Sequence, residues 1–410
     1  MGERHVGLRS SGGRRFPPKM VLSRRASFWV SLAVSMHTLW TSAAPALSYR
    51  LYAEEWQLSP LQTTSVFAIY PIFVVATLVC LGGLSDHVGR RRTMLAALVF
   101  SLIGALTLAW ALDVEWLLAA RAVMGIGVGL ASGASTAAIL EFSPSGDPER
   151  AASATNLAQA IGFATALILG GALIQYAPYP LRLDVVVLAV VIGMLIVAVW
   201  LLPRQVASLK AWSPRMPRVP ASIRKEFCLA GIGAATAFTS GAVLLSLGGQ
   251  VAHDLVGSAN ELTNGAVLAS FAIVSAVVTG AARKLAPRTA FFLGSVTTMF
   301  AVLLLWLATN GHSLSALLAS TSLAGISYAL LFLGALTLLN AVAPADSRGG
   351  VLSTFYLVGY LCMGFCVLAL GVVARASGLA TAVAAASFVL ASLGGATCLF
   401  AAMRFPTLAE

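Results

Sequence analysis

Long uncharged stretches recur along the chain, and each is long enough to cross a membrane. They predict twelve spans, at residues 27–47, 61–82, 93–112, 117–141, 152–174, 184–202, 227–250, 263–282, 289–309, 314–342, 350–373 and 379–402. About 20 helical residues cover a hydrocarbon core roughly 30 Å thick. We expect helices because the sequence lacks two-residue alternation and because lipid requires an internally bonded backbone. The pattern predicts an all-α polytopic membrane protein.

Composition supports this prediction, since 59% of the residues are hydrophobic and only 10% are charged. A soluble domain carries roughly 25% charged residues. We expect no cleavable signal peptide, because the first apolar run is already as long as a span and follows a long basic leader. Met20 is a second plausible start, which would make residues 1–19 an extension without a role in function.

The net charge of +11 raises the question of an anionic partner such as nucleic acid. Membrane topology explains the charge better. If both termini are cytoplasmic, every Lys and Arg lies on the cytoplasmic side except Arg50, Arg182 and Arg375 outside and Arg121 within a span. This asymmetry follows the positive-inside rule. We therefore expect a lipid bilayer as surroundings and no nucleic-acid partner. The predominance of arginine in an Ala-, Leu- and Gly-rich chain favours a bacterial inner membrane.

The five cysteines all lie in or beside apolar spans. Cys362 and Cys366 share a helix face, but no histidine or carboxylate joins them to complete a metal site. We interpret the cysteines as small packing residues and expect neither a metal nor a cofactor.

A basic, proline-containing linker divides the spans into two sets of six. The predicted organisation is a basic cytoplasmic segment (1–26), an N-terminal half (27–202), the linker (203–226), a C-terminal half (227–403) and a short tail (404–410). The stretch DPERAASATNLAQAIG after span 4 is echoed by APADSRGGVLSTFYLVGY after span 10. Two repeated halves predict a transporter whose site lies between them near the midplane.

The turn between spans 2 and 3 reads GGLSDHVGRRR and resembles the loop signature of the major facilitator superfamily. The matching positions are Gly82, Asp86, Gly89, Arg90, Arg91 and Arg92, while His87 replaces a basic residue. The resemblance covers essentially the whole chain through its span count, halves and linker. It implies the twelve-helix major facilitator fold and a conformational latch at this turn, completed by Glu141 at the end of span 4.

Physical chemistry agrees with a latch. Gly82 permits close helix approach, and Gly89 permits a positive φ. We expect Asp86 to face the N-terminal end of span 11 near Gly349 and Gly350, where a helix dipole favours negative charge. The alternative is that the arginines only set topology, which would leave the glycines and the acid unexplained.

Span 4 contains RAVMGIGVGLASG at residues 121–133, which resembles a second family pattern with Met124 in place of glutamine. The glycines do not indicate a nucleotide-binding loop, because no strand precedes them. Gly125, Gly129 and Gly133 recur every four residues and predict close helix packing. Arg121 has two interpretations: an arginine that snorkels to the interface, or a cavity cation that binds an anionic group or modulates a proton site.

Span 5 retains part of the family's antiporter signature. Gly162, Gly170 and Gly171 are present, whereas the central Gly-Pro has become Ala166-Leu167. The glycines predict close packing without a proline bend.

Ionisable groups within the spans are scarce, and His37 in the middle of span 1 is the natural candidate for carrying protons. Its alternative role is neutral packing. Candidate substrate-binding residues at middle depth are Trp40, Thr41, Tyr70, Asn156, Gln159, Tyr328, Tyr356 and Tyr360. This lining suits an aromatic or amphipathic small molecule.

The sequence thus predicts a monomeric secondary active transporter that moves a small organic solute by alternating access. Export linked to the proton gradient is the favoured function. Uptake of an organic acid, with Arg121 binding the carboxylate, is the alternative. A polytopic membrane enzyme is a remote third, because the acids are scattered among loops and no convergent catalytic set is present.

Overall fold

The computed structural model describes residues 21–144, 146–203, 219–344 and 348–404. Within them lie twelve long helices: α1 Arg24–Ala43, α2 Pro60–Leu81, α3 Arg90–Ala109, α4 Val114–Phe142, α5 Pro148–Tyr176, α6 Leu183–Trp200, α7 Arg224–Gln250, α8 Glu261–Ala281, α9 Pro287–Asn310, α10 Leu314–Val342, α11 Arg348–Ser377 and α12 Leu379–Arg404. Each corresponds to one predicted span. The predicted N-terminal extension, most of the linker and the C-terminal tail after Arg404 fall outside the described residues.

Eleven helices are long and apolar enough to cross a membrane in the part of the chain described. The remaining long helix, α1, carries buried polar residues along its length: Ser27, Ser31, Ser35, His37, Thr38 and Thr41. Several of its hydroxyls donate to a backbone carbonyl of the preceding turn, as Ser31 Oγ does to Ser27 at 2.8 Å. Such internal bonds satisfy the hydroxyl without a second helix, so α1 can remain buried.

The first span ends earlier than the sequence predicted. Residue 47 was the expected end, but α1 stops at Ala43 and is followed by a 3₁₀ turn, Ala44–Ala46, and a short helix, Ser48–Glu55. Pro45 lies in that turn. Proline lacks an N–H, so Pro45 leaves the carbonyl of Thr41, four residues earlier, without its helical hydrogen bond.

The helices pack as two bundles of six. In the first half α1, α2 and α3 contact α4, and α1 also contacts α5; in the second half α7, α8 and α9 contact α10, and α7 also contacts α11. Two extensive helix pairs join the halves, α5 with α8 and α2 with α11. Because the two pairs occupy equivalent positions in the repeat, they indicate a pseudo-twofold arrangement.

The two ends of the bundle differ. We call the end that carries Arg24, Pro203, Val219 and Arg404 the linker face, and the opposite end the far face. At the far face the backbones of α5 and α8 nearly touch: a side chain at Gly265 would collide with the carbonyl of Leu167, and one at Gly171 with the backbone of Glu261. Gly371 of α11 likewise abuts Thr64 of α2. The halves therefore converge at the far face.

Candidate functional site

The turn between α2 and α3 gathers the residues of the predicted latch. Arg90 pairs with Asp86, donates to Ser85 Oγ at 2.9 Å and places Nε 3.9 Å from Glu141 Oε2. Gly89 has a φ of +95°, a conformation that favours glycine, and it allows α3 to start directly at Arg90. Arg91 donates to the carbonyl of Leu202 at 3.1 Å. Asp86, Arg90 and Glu141 thus form one cluster at the linker face.

This cluster lies within the first half. Among the described residues, Asp86 bonds to Arg90 and makes no ion pair with the second half. The predicted approach of Asp86 to the N-terminal end of α11 stays a prediction.

Arg121 is fully buried in α4. Its guanidinium donates to the carbonyls of Thr41 at 3.1 Å and Ser42 at 3.4 Å, and it stacks 4.1 Å from the ring centre of Tyr70. These carbonyls are at the C-terminus of α1, where the helix leaves acceptors unsatisfied and the dipole is negative. In this conformation Arg121 neither reaches the membrane interface nor faces an open cavity. Its guanidinium instead bonds to carbonyls that the end of α1 leaves without helical partners.

His37 is also buried, with 1% of its surface exposed. Nδ1 lies 2.9 Å from the carbonyl oxygen of Val34, so it is the nitrogen that donates. Nε2 has no hydrogen-bond partner among the described residues.

A group of rings from four helices of the second half, α7, α8, α10 and α11, packs together. We define the aromatic cluster as Phe238, Phe271, Tyr328, Phe332, Phe355, Tyr356 and Tyr360. Tyr328 and Phe332 are stacked, with ring centres 5.8 Å apart and planes at 10°. Phe238 meets Tyr360 edge-on at 5.0 Å. The three tyrosines are only half-buried, so their rings are partly accessible.

The first half reaches the aromatic cluster through α5 and α2. Phe163 lies 6.0 Å from Phe271, measured between ring centres. On α11, a side chain at Gly364, one turn beyond Tyr360, would lie 4.0 Å from the carbonyl of Ala68 on α2. The cluster therefore lies where the halves meet. The sequence predicted its tyrosines and missed its phenylalanines, because phenylalanine is common in every apolar span.

The remaining predicted lining residues are dispersed. Trp40 and Thr41 are buried in α1, whereas Asn156 is exposed and lines a groove at the linker face. Gln159 is half-buried and does not line that groove. Their spacing of three residues predicts that Asn156 and Gln159 can face one cavity together; of the two, Asn156 lines the linker-face groove.

The predicted packing glycines lie at helix contacts. A side chain at Gly125 would meet the Tyr70 carbonyl at 2.6 Å, and one at Gly129 would meet the Val74 carbonyl at 2.9 Å, both on α2. Gly133 is in ordinary contact with the Gly82 carbonyl at 3.8 Å. On α5, Gly162 faces the backbone of Met36 and Gly171 faces α8, while a side chain at Gly170 would lie 3.9 Å from Asp184 Oδ2.

The linker-face groove separates α5 from α8 and has a volume of about 440 Å³. Its lining on the first half is Arg150, Ser153, Ala154, Asn156 and Leu157, and on the second half Ala276, Val277, Thr279, Gly280 and Arg283. The same two helices that touch at the far face are therefore apart at the linker face.

A buried ion pair closes the far face. Arg50 Nη2 lies 2.7 Å from Glu261 Oε1, and the two side chains are 11% and 6% exposed. Arg50 also pairs with Glu54. Asn264 Nδ2 donates to Glu261 Oε2 at 3.3 Å, and the Glu261 amide donates to Gln175 Oε1 at 2.8 Å. Burial lowers the pKa of Arg50, and Glu261 and Glu54 raise it by more, so that the net shift is upward.

Asp184 is a second acid that the sequence analysis overlooked. It is buried at the start of α6, where it accepts from the Val185 amide at 2.7 Å and from Ser48 Oγ at 3.4 Å. Tyr52 donates to the carbonyl of Leu181 at 3.0 Å. These bonds fix the short helix Ser48–Glu55, and with it Arg50, against α6. No cluster of three or more His, Cys, Asp or Glu suited to a metal exists within the described ranges.

Comparisons with known proteins agree with this architecture. The family model of the Major Facilitator Superfamily matches residues 29–367. Among solved structures, a point mutant of the nucleoside transporter NupG is 12% identical, with a TM-score of 0.76 over 93% of this chain and 100% of that one. A bacterial homologue of the human lysosomal transporter Spinster, inward-facing and occupied, is 16% identical, with a TM-score of 0.73 over 93% and 97%.

A POT family transporter in complex with 5-aminolevulinic acid is 12% identical, with a TM-score of 0.72 over 93% of this chain and 95% of that one. At these identities the structures share the fold alone. A search of curated protein sequences found no match. The family model covers most of the chain, and the helix order, halves and latch turn accord with it: the chain belongs to the major facilitator superfamily of membrane transporters.

Proposed function

We propose that this protein is a secondary active transporter that exports an aromatic or amphipathic small organic solute in exchange for protons. The observation that carries the proposal is the aromatic cluster at the junction of the two halves, in which Tyr328, Tyr356 and Tyr360 are half-buried. Partly accessible rings offer stacking surfaces and hydroxyls to a planar apolar solute. The cluster itself contains no charged residue, which favours an uncharged or weakly polar ligand.

Alternating access is supported by the unequal ends of the bundle. The far face is held by the Arg50–Glu261 pair, whereas α5 and α8 leave a groove at the linker face. A rocking motion of one half against the other would exchange these contacts around a fixed central site. The latch residues Asp86, Arg90 and Glu141 then gain partners across the halves only in the opposite conformation.

Orientation follows from charge. Basic residues concentrate at the linker face, and the positive-inside rule assigns such a face to the cytoplasm. We therefore propose that both termini are cytoplasmic, that the membrane is a bacterial inner membrane and that this conformation is inward-facing. A monomer suffices, because a complete pair of halves lies within one chain.

Proton coupling through His37 is supported by its burial in α1 and by the unpartnered Nε2 among the described residues. A buried imidazole with one free nitrogen can accept a proton when a conformational change admits water. Uptake of an organic acid is the weaker alternative, since its carboxylate would need Arg121. That guanidinium is fully buried against the carbonyls of Thr41 and Ser42 and Tyr70.

Inverted membrane vesicles test this proposal. A panel of aromatic dyes and of small organic acids is offered to vesicles with and without an imposed proton gradient. The proposal expects at least one dye to accumulate only when the gradient is present, and Tyr328→Ala to abolish that accumulation. Gradient-driven movement of an organic acid in the opposite direction would instead establish the alternative.

A further inference from the structure

The linker-face groove carries one arginine from each half. Arg150 belongs to α5, and its side chain is 75% exposed; its ion pair with Asp147, at 3.3 Å, lies at the surface and contributes little. Arg283 follows α8, is exposed, and donates from Nε to the Gly280 carbonyl at 3.0 Å. The terminal nitrogens of both guanidiniums can therefore bind an anion. Ser153, Asn156 and Thr279 add neutral hydrogen-bonding groups to the same groove.

An apolar surface continues from these arginines along the two helices. Leu157 and Ile161 on α5 are 55% and 47% exposed, and Ile273 and Val277 on α8 are 47% and 66% exposed. Each pair is four residues apart, so its members lie on the same face of their helix. Leu157 and Val277 themselves line the groove. The surface thus has two arginines at one end and exposed apolar side chains along the rest.

We propose that this groove binds an anionic phospholipid from the leaflet at the linker face. The phosphate would lie between Arg150 and Arg283, whose planar guanidiniums match phosphate oxygens with paired hydrogen bonds. One acyl chain would follow Leu157 and Val277. The charges are complementary, and an anionic leaflet attracts nearby arginines in addition.

Binding here would depend on conformation. The two arginines belong to opposite halves, so the groove exists only while α5 and α8 are apart at the linker face. A ligand that binds one of two conformations stabilises that conformation by mass action. The bound lipid therefore holds the transporter in the conformation described here, and it regulates the rate of conversion to the opposite one.

The experiment uses the purified full-length protein in neutral detergent. Phosphatidylglycerol and phosphatidylcholine with identical acyl chains are titrated, with bound lipid counted by native mass spectrometry and stability followed by the midpoint of thermal unfolding. Phosphatidylglycerol should bind and raise the midpoint, and phosphatidylcholine should do neither. In the Arg150→Gln/Arg283→Gln variant, phosphatidylglycerol should bind about thirtyfold more weakly, the fold-change that corresponds to about 1 kcal/mol per arginine near an anionic surface.

Two further variants separate charge from packing. Arg288→Gln removes an exposed arginine outside the groove and should bind phosphatidylglycerol like the unmodified protein. Arg150→Lys/Arg283→Lys keeps the charge but loses the paired hydrogen bonds, so its affinity for phosphatidylglycerol should lie between those of the unmodified protein and the double glutamine variant. Equal phosphatidylglycerol binding by the double glutamine variant would overturn the proposal, and so would equal binding of phosphatidylcholine.

A titration with water-soluble anions distinguishes binding of a lipid from binding of a free anion. Glycerol phosphate and inorganic phosphate are titrated in the same way, and neither should reproduce the stabilisation, because neither fills the apolar surface. If either matches phosphatidylglycerol, the groove is a site for soluble anions and the lipid proposal fails. All of these measurements are made without transport, so their failure leaves the proposed export function unaffected.

Discussion

Arg50 and Glu261 are separated by 211 residues and form a buried ion pair, 2.7 Å from Nη2 to Oε1, that joins the two halves at the far face. Removing one partner of a buried pair leaves an uncompensated charge and typically costs about 3–5 kcal/mol. If the opposite conformation exposes both groups to water, this cost falls on the present conformation alone. The pair then sets the equilibrium between the two conformations.

Arg50→Met should therefore shift the protein toward opening at the far face. A single cysteine introduced at Thr64, which is buried beside Gly371, should become reactive toward a membrane-impermeant maleimide. Glu54→Gln is the control, because Glu54 is an exposed partner of Arg50 and its loss should change reactivity little. Unchanged reactivity in Arg50→Met would show that the ion pair does not hold the far face.

Gly265→Val should also prevent closure at the far face, for a steric reason. The added side chain would collide with the backbone carbonyl of Leu167, and backbone cannot move aside as a flexible side chain can. Transport should be lost while insertion into the membrane persists. Gly193→Val in α6 is the matched control, because nothing lies within 4 Å of a side chain there. If Gly265→Val transports normally, α5 and α8 do not close as tightly as described.

If these residues form a latch, exchanging the charges of Arg90 and Glu141 should have a defined effect on transport. Arg90 pairs with Asp86 and lies 3.9 Å from Glu141, so Glu141→Arg should place two like charges together and impair transport. Combining it with Arg90→Glu restores opposite charges and should recover part of the activity.

Asp86→Asn or Gly89→Val should abolish transport with normal insertion, and Glu115→Gln, at an exposed acid of α4, provides the control. If Asp86→Asn transports normally, the charged residues of this turn serve only to set the membrane topology.

Arg121→Lys should lose most transport and also destabilise the protein. One ammonium cannot bond to the carbonyls of both Thr41 and Ser42 while stacking on Tyr70. Hydrogen bonds of a charged group contribute about 1.5–3 kcal/mol each, so the thermal midpoint should fall as well. Arg375→Lys, at an exposed arginine of the far face, should have neither effect. Near-normal transport and stability in Arg121→Lys would contradict the role of Arg121 at the end of α1.

His37→Gln tests the coupling proposal. Glutamine can still pack and bond but cannot titrate, so downhill exchange of solute should continue while gradient-driven accumulation disappears. The measurement compares counterflow with accumulation in the same vesicles. Survival of accumulation would assign His37 to packing.

The sequence predicted the helices well because spans are read from uncharged length, a property that tertiary contacts do not alter. It misplaced the end of α1, where Pro45 outweighs a continuous apolar run. It missed the Arg50–Glu261 pair, because the two residues lie far apart in the sequence and belong to no motif that would indicate their contact. It placed Asn156 at middle depth, whereas the structure has this residue exposed and lining the linker-face groove, because depth estimated from span boundaries does not show which way a side chain faces.

The central claim is that the halves exchange contacts at their two ends. Spin labels at Leu157 and Val277 report the linker face, and labels at Tyr179 and Asn310 report the far face; all four residues are exposed. Both distances are measured by pulsed electron resonance in a cysteine-free background, with and without Glu261→Gln. The account predicts that this substitution lengthens the far-face distance and shortens the linker-face distance together. A longer far-face distance with an unchanged linker-face distance would contradict it.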